Sequence, residues 1–171
     1  MNEVINMERL NEEHLFLMDI AERLGIPERM DYGYYALKGV LHAIRDMLQL
    51  PEVFYLSARL PLYVRGIYFE GYNPQELPIM MYNDELLKKF RDRMGPRNGD
   101  YFEEYIQLNL PEKVNSEEFL KMVSQKIEAD EDINPEKAVR AVLQALHKRL
   151  SVGEMEDIHS LMNHDVQELL A

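Results

Sequence analysis

One 34-residue pattern occurs twice in the chain, 102 positions apart and without a gap. Ala36 to Phe69 reads ALKGVLHAIRDMLQLPEVFYLSARLPLYVRGIYF, and Ala138 to Ala171 reads AVRAVLQALHKRLSVGEMEDIHSLMNHDVQELLA. The identical pairs are Ala36/Ala138, Val40/Val142, Leu41/Leu143, Ala43/Ala145, Leu48/Leu150, Glu52/Glu154 and Val64/Val166. Others exchange one apolar residue for another: Ile44/Leu146, Leu56/Ile158, Leu60/Met162 and Ile67/Leu169. Such a repeat limits the fold strongly, because each copy presents the same apolar face and must bury it against something.

Within each copy the apolar residues step by three and four. Leu37, Val40, Leu41, Ile44 and Leu48 form one stripe, and Val139, Val142, Leu143, Leu146 and Leu150 form its counterpart. That spacing places them on one helix face. Asn134 suits the N-cap of the second of these helices, Pro135 its first position, and Glu136 the positive end of its dipole. A break follows each helix, at Gln49-Leu50-Pro51 and at Ser151-Val152-Gly153; Pro51 can open the next helix, and Ser151 can cap its equivalent. The stripe resumes at Val53, Leu56, Leu60, Val64 and Ile67, and at Met155, Ile158, Met162, Val166 and Leu169. It runs through Pro61, which predicts a kink or two short helices there. Upstream, Phe16-Leu17, Ile20 and Leu24 match Phe119-Leu120, Val123 and Ile127 at an offset of 103.

The pattern predicts an all-α fold: two pseudo-repeated multi-helix units packed face to face into one globular helical bundle with a shared core. Unit one covers residues 1–72, a connecting segment 73–115 and unit two 116–171. The connecting segment reads as partly helical, with short helices from Asp84 to Met94 and from Tyr101 to Leu108. Leu77 to Tyr82 could be extended, but one short strand has no partner. Methionines such as Met18, Met47, Met155 and Met162 read as gap-fillers of the core.

The pieces ALKGVLHAIRDML, LSARLPLYVRGIYFEGY and AVRAVLQALHKRLSVGEMEDI resemble the bacterial domain-of-unknown-function family 2267. The resemblance spans Phe16 to Tyr72 and Phe119 to Ala171. It is most specific from Leu60-Pro61 to Glu70-Gly71-Tyr72, whereas unit two has Met162-Asn163 in place of the Leu-Pro step. It implies tandem helical units in a soluble bacterial protein, and no activity.

Composition bounds the function. The chain has 19 basic against 31 acidic residues, a net charge of −12. That balance repels phosphate backbones, so no nucleic-acid partner is expected. No apolar run approaches the roughly 18 residues of a membrane span, and the opening MNEVINMERL lacks the basic and apolar parts of a secretory signal. Cysteine is absent, which removes disulfides, thiolate catalysis and cysteine-held zinc and suits a reducing cytoplasm.

Candidate chemistry is sparse, and the sequence predicts no cofactor. Asp130-Glu131-Asp132-Ile133-Asn134 imitates the start of a calcium loop, but Pro135 stands where glycine is required and Ala141 where glutamate is. His42 and Asp46, four apart, form half a metal site at most and read as a solvated pair. Glu52 and Glu154 sit at equal positions in the first turns of their helices, where the dipole explains them without catalysis.

Differences between the copies are more informative. Phe54, Tyr55 and Tyr63 in unit one face Glu156, Asp157 and Asp165 in unit two. Ala36 to Phe69 carries four basic and two acidic residues, and Ala138 to Ala171 three and five. Phe54, Tyr55, Arg59, Tyr63, Arg65 and Tyr68 therefore mark an aromatic, cationic surface confined to unit one. We expect a non-enzymatic module whose partner is an unidentified protein or a second copy. The other reading is an anionic small molecule held by Arg59, Arg65 and the tyrosines, in a binding protein or an enzyme. Against both stands cover by the connecting segment, with Asp84, Glu85, Glu103 and Glu104 pairing the arginines.

Overall fold

The computed structural model describes residues 2–48, 50–73, 114–129, 132–162 and 164–170, and every regular element among them is a helix. Unit one contributes α1 (Asn2–Leu24), α2 (Met30–Asp46), α3 (Leu50–Ser57) and α4 (Leu62–Phe69). Unit two contributes α5 (Ser116–Lys126), α6 (Pro135–His147), α7 (Val152–Ser160) and α8 (His164–Leu170). These helices belong to one compact unit made of residues 1–72 and 115–171. The elements expected between Leu77 and Leu108 lie outside the described residues.

Local chemistry accounts for the helix ends. α1 closes on Gly25 at φ 85°, with Gly25 N–H donating to the Glu22 carbonyl and Ile26 N–H to that of Ala21. This left-handed glycine cap satisfies carbonyls that the helix leaves without partners. Asn134 caps α6 by accepting from the Lys137 N–H at 2.9 Å, with Pro135 inside the first turn. Asn115 with Glu118, and Ser151 with Glu154, form reciprocal capping boxes at α5 and α7. The dipole assigned to Glu154 is thus joined by a direct hydrogen bond, Ser151 N–H donating to its carboxylate at 2.8 Å.

α2 packs against α1 and α4 of its own unit and against α5 and α6 of the other; α1 also packs on α6, and α5 on α6. The leading helix of each unit thus lies on the main helix of both. Equivalent positions are buried in both copies: Ala36 and Ala138, Val40 and Val142, Leu41 and Leu143, Ala43 and Ala145, Val64 and Val166. Phe16 and Phe119 are fully buried at matching places on α1 and α5. Each large side chain of this kind removed from water contributes about 1.5–3 kcal/mol. Met155 and Met162 fill this core, but Met18 does not; it is exposed on the outer side of α1.

Two features draw the helices close. An added Cβ on Gly33 would stand 2.2 Å from the Leu17 carbonyl oxygen, and one on Gly39 would stand 2.6 Å from Ile127 Cγ1. Ion pairs also tie the units. Asp19 on α1 accepts from Arg23 at 2.9 Å and from Arg149, just past α6, at 3.0 Å. Asp46 at the end of α2 binds Lys126 at the end of α5, and Lys38 reaches Glu128 at 3.2 Å.

The predicted break at Pro61 is present as two short helices, α3 and α4, with Pro61 as the N-cap of α4. Unit two breaks at the matching place, between Ser160 and His164, without a proline.

Candidate functional site

α3 carries the exposed part of the expected surface. Its inner positions Val53, Leu56 and Ser57 are buried, so Phe54 and Tyr55 project outward, 53% and 40% exposed. The Phe54 ring lies 5.9 Å from that of Phe69, which continues to Tyr72 at 5.8 Å and to Tyr68 at 5.0 Å. On the other flank the Arg59 guanidinium sits 3.9 Å over the Tyr55 ring. Arg59 Nε also donates to Asp157 Oδ2 on α7 at 3.0 Å. Asp157 is the counterpart of Tyr55 in the repeat, so the two diverged positions meet through one arginine. Leu62, at the start of α4, is 63% exposed and was not singled out by the sequence. Its counterpart is the polar His164, the signal that could have found it.

The other candidates are engaged by the fold, Tyr68 in the core and Tyr63 and Arg65 half-buried. Tyr68 is fully buried, and its hydroxyl donates to the Val53 carbonyl at 3.0 Å. Burial pushes its phenol pKa well up. It belongs to the core joining α3 and α4, and its place among the surface residues is corrected accordingly. Its counterpart Leu170 is apolar, as a core position allows. Tyr63 stands edge-on to Phe16 at 5.7 Å. Burial, opposed by Arg149, raises its pKa. Arg65 donates from Nε to the Ser57 carbonyl at 2.8 Å and from Nη2 to that of Leu60 at 3.2 Å.

His42 requires a second correction. It is buried rather than solvated, and its ring Nε2 lies 2.8 Å from the Ile67 carbonyl. A carbonyl only accepts, so that nitrogen carries the proton. Burial lowers the His42 pKa, the Ile67 bond opposes this, and the nearby Arg45 charge adds to the lowering. Asp46, its supposed companion, is taken by Arg45 at 3.0 Å and by Lys126. Arg45 is buried too, and donates from Nη1 to the Tyr68 carbonyl at 2.8 Å. Together His42 and Arg45 fasten the end of α4 to α2. The reason is positional: His42 lies on the side of α2 that α4 covers.

What remains at the surface is an aromatic pair, a stacked arginine and an aspartate that holds it. Such a patch can bury apolar area and offer directed hydrogen bonds, and Tyr and Arg are over-represented among residues that dominate protein interfaces. Among the described residues, no three His, Asp or Glu side chains group so as to hold a metal ion, and no helix is long and apolar enough to cross a membrane. A family model matches the chain twice, over residues 13–108 and 99–169, and is described as an uncharacterised conserved protein, DUF2267. No curated protein matches it.

Proposed function

Because the chain belongs to the uncharacterised conserved family DUF2267, which brings no assigned chemistry, we propose from its own surface that it is a non-enzymatic protein-interaction module. Phe54 and Tyr55 form the centre of the docking face, with Arg59 at its edge. The observation that carries this reading is the outward placement of two large aromatic residues on a helix whose other face is anchored in the core. Arg59 stacked on Tyr55 and held by Asp157 is already ordered, so a partner loses less entropy in fixing it. The absence of cysteine supports a reducing cytoplasm as the place of action. The partner is another protein or a second copy of the chain.

The anionic-ligand reading has less support. Arg65 and Arg45 spend hydrogen-bond donors on backbone carbonyls, and Arg59 spends one on Asp157.

Site-directed photo-crosslinking in cells tests the proposal. A benzoylphenylalanine residue at Ala58, exposed one helical turn beyond Phe54, should yield adducts that disappear in the Phe54→Glu/Tyr55→Asp background. These are the residues unit two carries at those positions. A chain labelled at exposed Lys121 on α5 is the control. Adducts at Ala58 that match the control, or that persist in the double variant, refute the reading.

A further inference from the structure

The elbow between α3 and α4 recurs between α7 and α8, although the two share little sequence. Ala58-Arg59-Leu60-Pro61 corresponds to Ser160-Leu161-Met162-Asn163. In the first elbow, Arg59 N–H donates to the Leu56 carbonyl at 3.0 Å and Leu60 N–H to that of Ser57 at 3.2 Å. In the second, Leu161 N–H donates to the Ile158 carbonyl at 3.3 Å and Met162 N–H to that of His159 at 3.0 Å. Every donor and acceptor corresponds at the offset of 102.

The same holds for the side chains. Arg65 is the fourth residue of α4, and Gln167 the fourth of α8. Arg65 binds the carbonyls of Ser57 and Leu60 at 2.8 and 3.2 Å. Gln167 Nε2 binds the carbonyls of His159 and Met162, both at 2.8 Å. These acceptors again stand 102 positions apart. A helix that stops leaves its last carbonyls without intrahelical partners. Here a side chain from the next helix reaches back and supplies them. Arginine and glutamine suit this because each ends in a planar group with N–H donors that can serve two oxygens; lysine lacks the plane and glutamate lacks the donor.

We infer that Arg65 and Gln167 are two copies of one positioning device, a side-chain clasp that sets the angle between consecutive short helices. The clasp, rather than proline, specifies the elbow: unit two has Asn163 where unit one has Pro61, and the hydrogen-bond pattern is unchanged. In unit one the clasp also fixes how α3 carries Phe54 and Tyr55 relative to Leu62 on α4. Arg65 adds a positive charge at the negative end of α3, which favours it there. Its role is to hold the elbow and not to bind a ligand.

Amide hydrogen exchange by NMR on the full chain tests this, read at Leu60 and Met162, whose N–H groups share acceptors with the clasps. Arg65→Ala should speed exchange at Leu60 by roughly tenfold or more, the scale of one lost hydrogen bond, and leave Met162 unchanged. Gln167→Ala should do the reverse. Arg65→Gln, Gln167→Arg and Pro61→Asn should each stay within about threefold of the parent, since every one of them preserves the clasp. Arg65→Gln exchanging as fast as Arg65→Ala overturns the inference, as does Pro61→Asn opening the elbow while Arg65→Ala does not. Should Arg65→Ala fail to fold, the parent chain decides: a protected Arg65 Nε–H supports the clasp, and one exchanging at the solvent rate overturns it.

Discussion

Replacing Gly33 with alanine adds one methyl group where α1 and α2 touch. The new Cβ would lie 2.2 Å from the Leu17 carbonyl oxygen and 3.0 Å from its carbon. Both are backbone atoms, so no rotamer change relieves the clash. Ordinary contact requires the two helices to separate locally by roughly 1 Å. Overpacking of this kind costs about 1–3 kcal/mol, and a rigid obstacle belongs at the upper end. Alanine returns up to about 1 kcal/mol through its better helix propensity. The net expectation is a loss of about 2 kcal/mol, which at roughly 2–4 °C per kcal/mol lowers the Tm by about 4–8 °C. Gly66 provides the matched control. It lies inside α4, and a Cβ there meets nothing within 4 Å. Gly66→Ala should therefore raise stability by up to about 1 kcal/mol. Gly39→Ala should fall between, because its nearest obstacle is the side-chain atom Ile127 Cγ1 and the backbone behind it stands farther off, at 3.2 Å. The chain has no tryptophan, so far-UV circular dichroism during thermal and urea unfolding is the suitable assay. A Gly33→Ala variant as stable as Gly66→Ala would refute the close approach of α1 to α2.

Two further predictions concern titration. Burial works against the charged form of Asp19, but hydrogen bonds from Arg149, Arg23 and Lys148 and the Arg23 charge hold its carboxyl below the usual range. The stability it contributes is present above the unfolded value of about 3.9 and is lost as pH falls through the lower folded value. Asp19→Asn should cost about 1–2 kcal/mol at neutral pH and flatten the acid limb of urea midpoints measured from pH 6 to 3. His42 also has a lowered folded pKa, with burial the main cause. Arg45, Lys126, Asp46 and Glu70 share its surroundings. Stability should be full above about pH 6.5, decline as the unfolded chain takes up the proton first, and level off below the folded pKa. His42→Gln keeps an N–H donor for the Ile67 carbonyl and should remove that decline; an unchanged pH profile would count against a buried neutral histidine.

Much of the fold was legible in the residues. The stripes from Leu37 to Leu48 and from Val139 to Leu150 named the core-facing sides of α2 and α6, because a period of 3.6 admits only one continuous face. The caps at Asn134 and Ser151 were legible for a local reason: their acceptors and donors lie three residues apart in the chain. The candidate site was legible only in part. Comparison of the copies separated Phe54 and Tyr55 from the core, and both are exposed. It failed for Tyr68 and Arg65, as the spacing of His42 and Asp46 failed for His42; the partners of Tyr68, Arg65 and His42 are carbonyls 15, 8 and 25 residues away. Backbone acceptors carry no side-chain signature, so nothing in a residue pattern announces them. The pairing of Arg65 with Gln167 was within reach of the alignment, but an arginine opposite a glutamine does not register as a match unless their shared hydrogen-bonding capacity is considered.

The sequence by itself determined that the described elements are helical, where α6 and α7 begin, where α3 gives way to α4, and which faces are apolar, because these depend on spacing and on caps acting over a turn or less. Tertiary structure alone decided which polar groups remain at the surface. The packing of α4 on α2 turned His42 and Arg45 into internal fasteners, and the approach of α7 to α3 gave Arg59 the carboxylate of Asp157, 98 residues away. Whether a charged side chain meets solvent or a neighbour depends on which helices pack together, and the period of one helix holds no record of that.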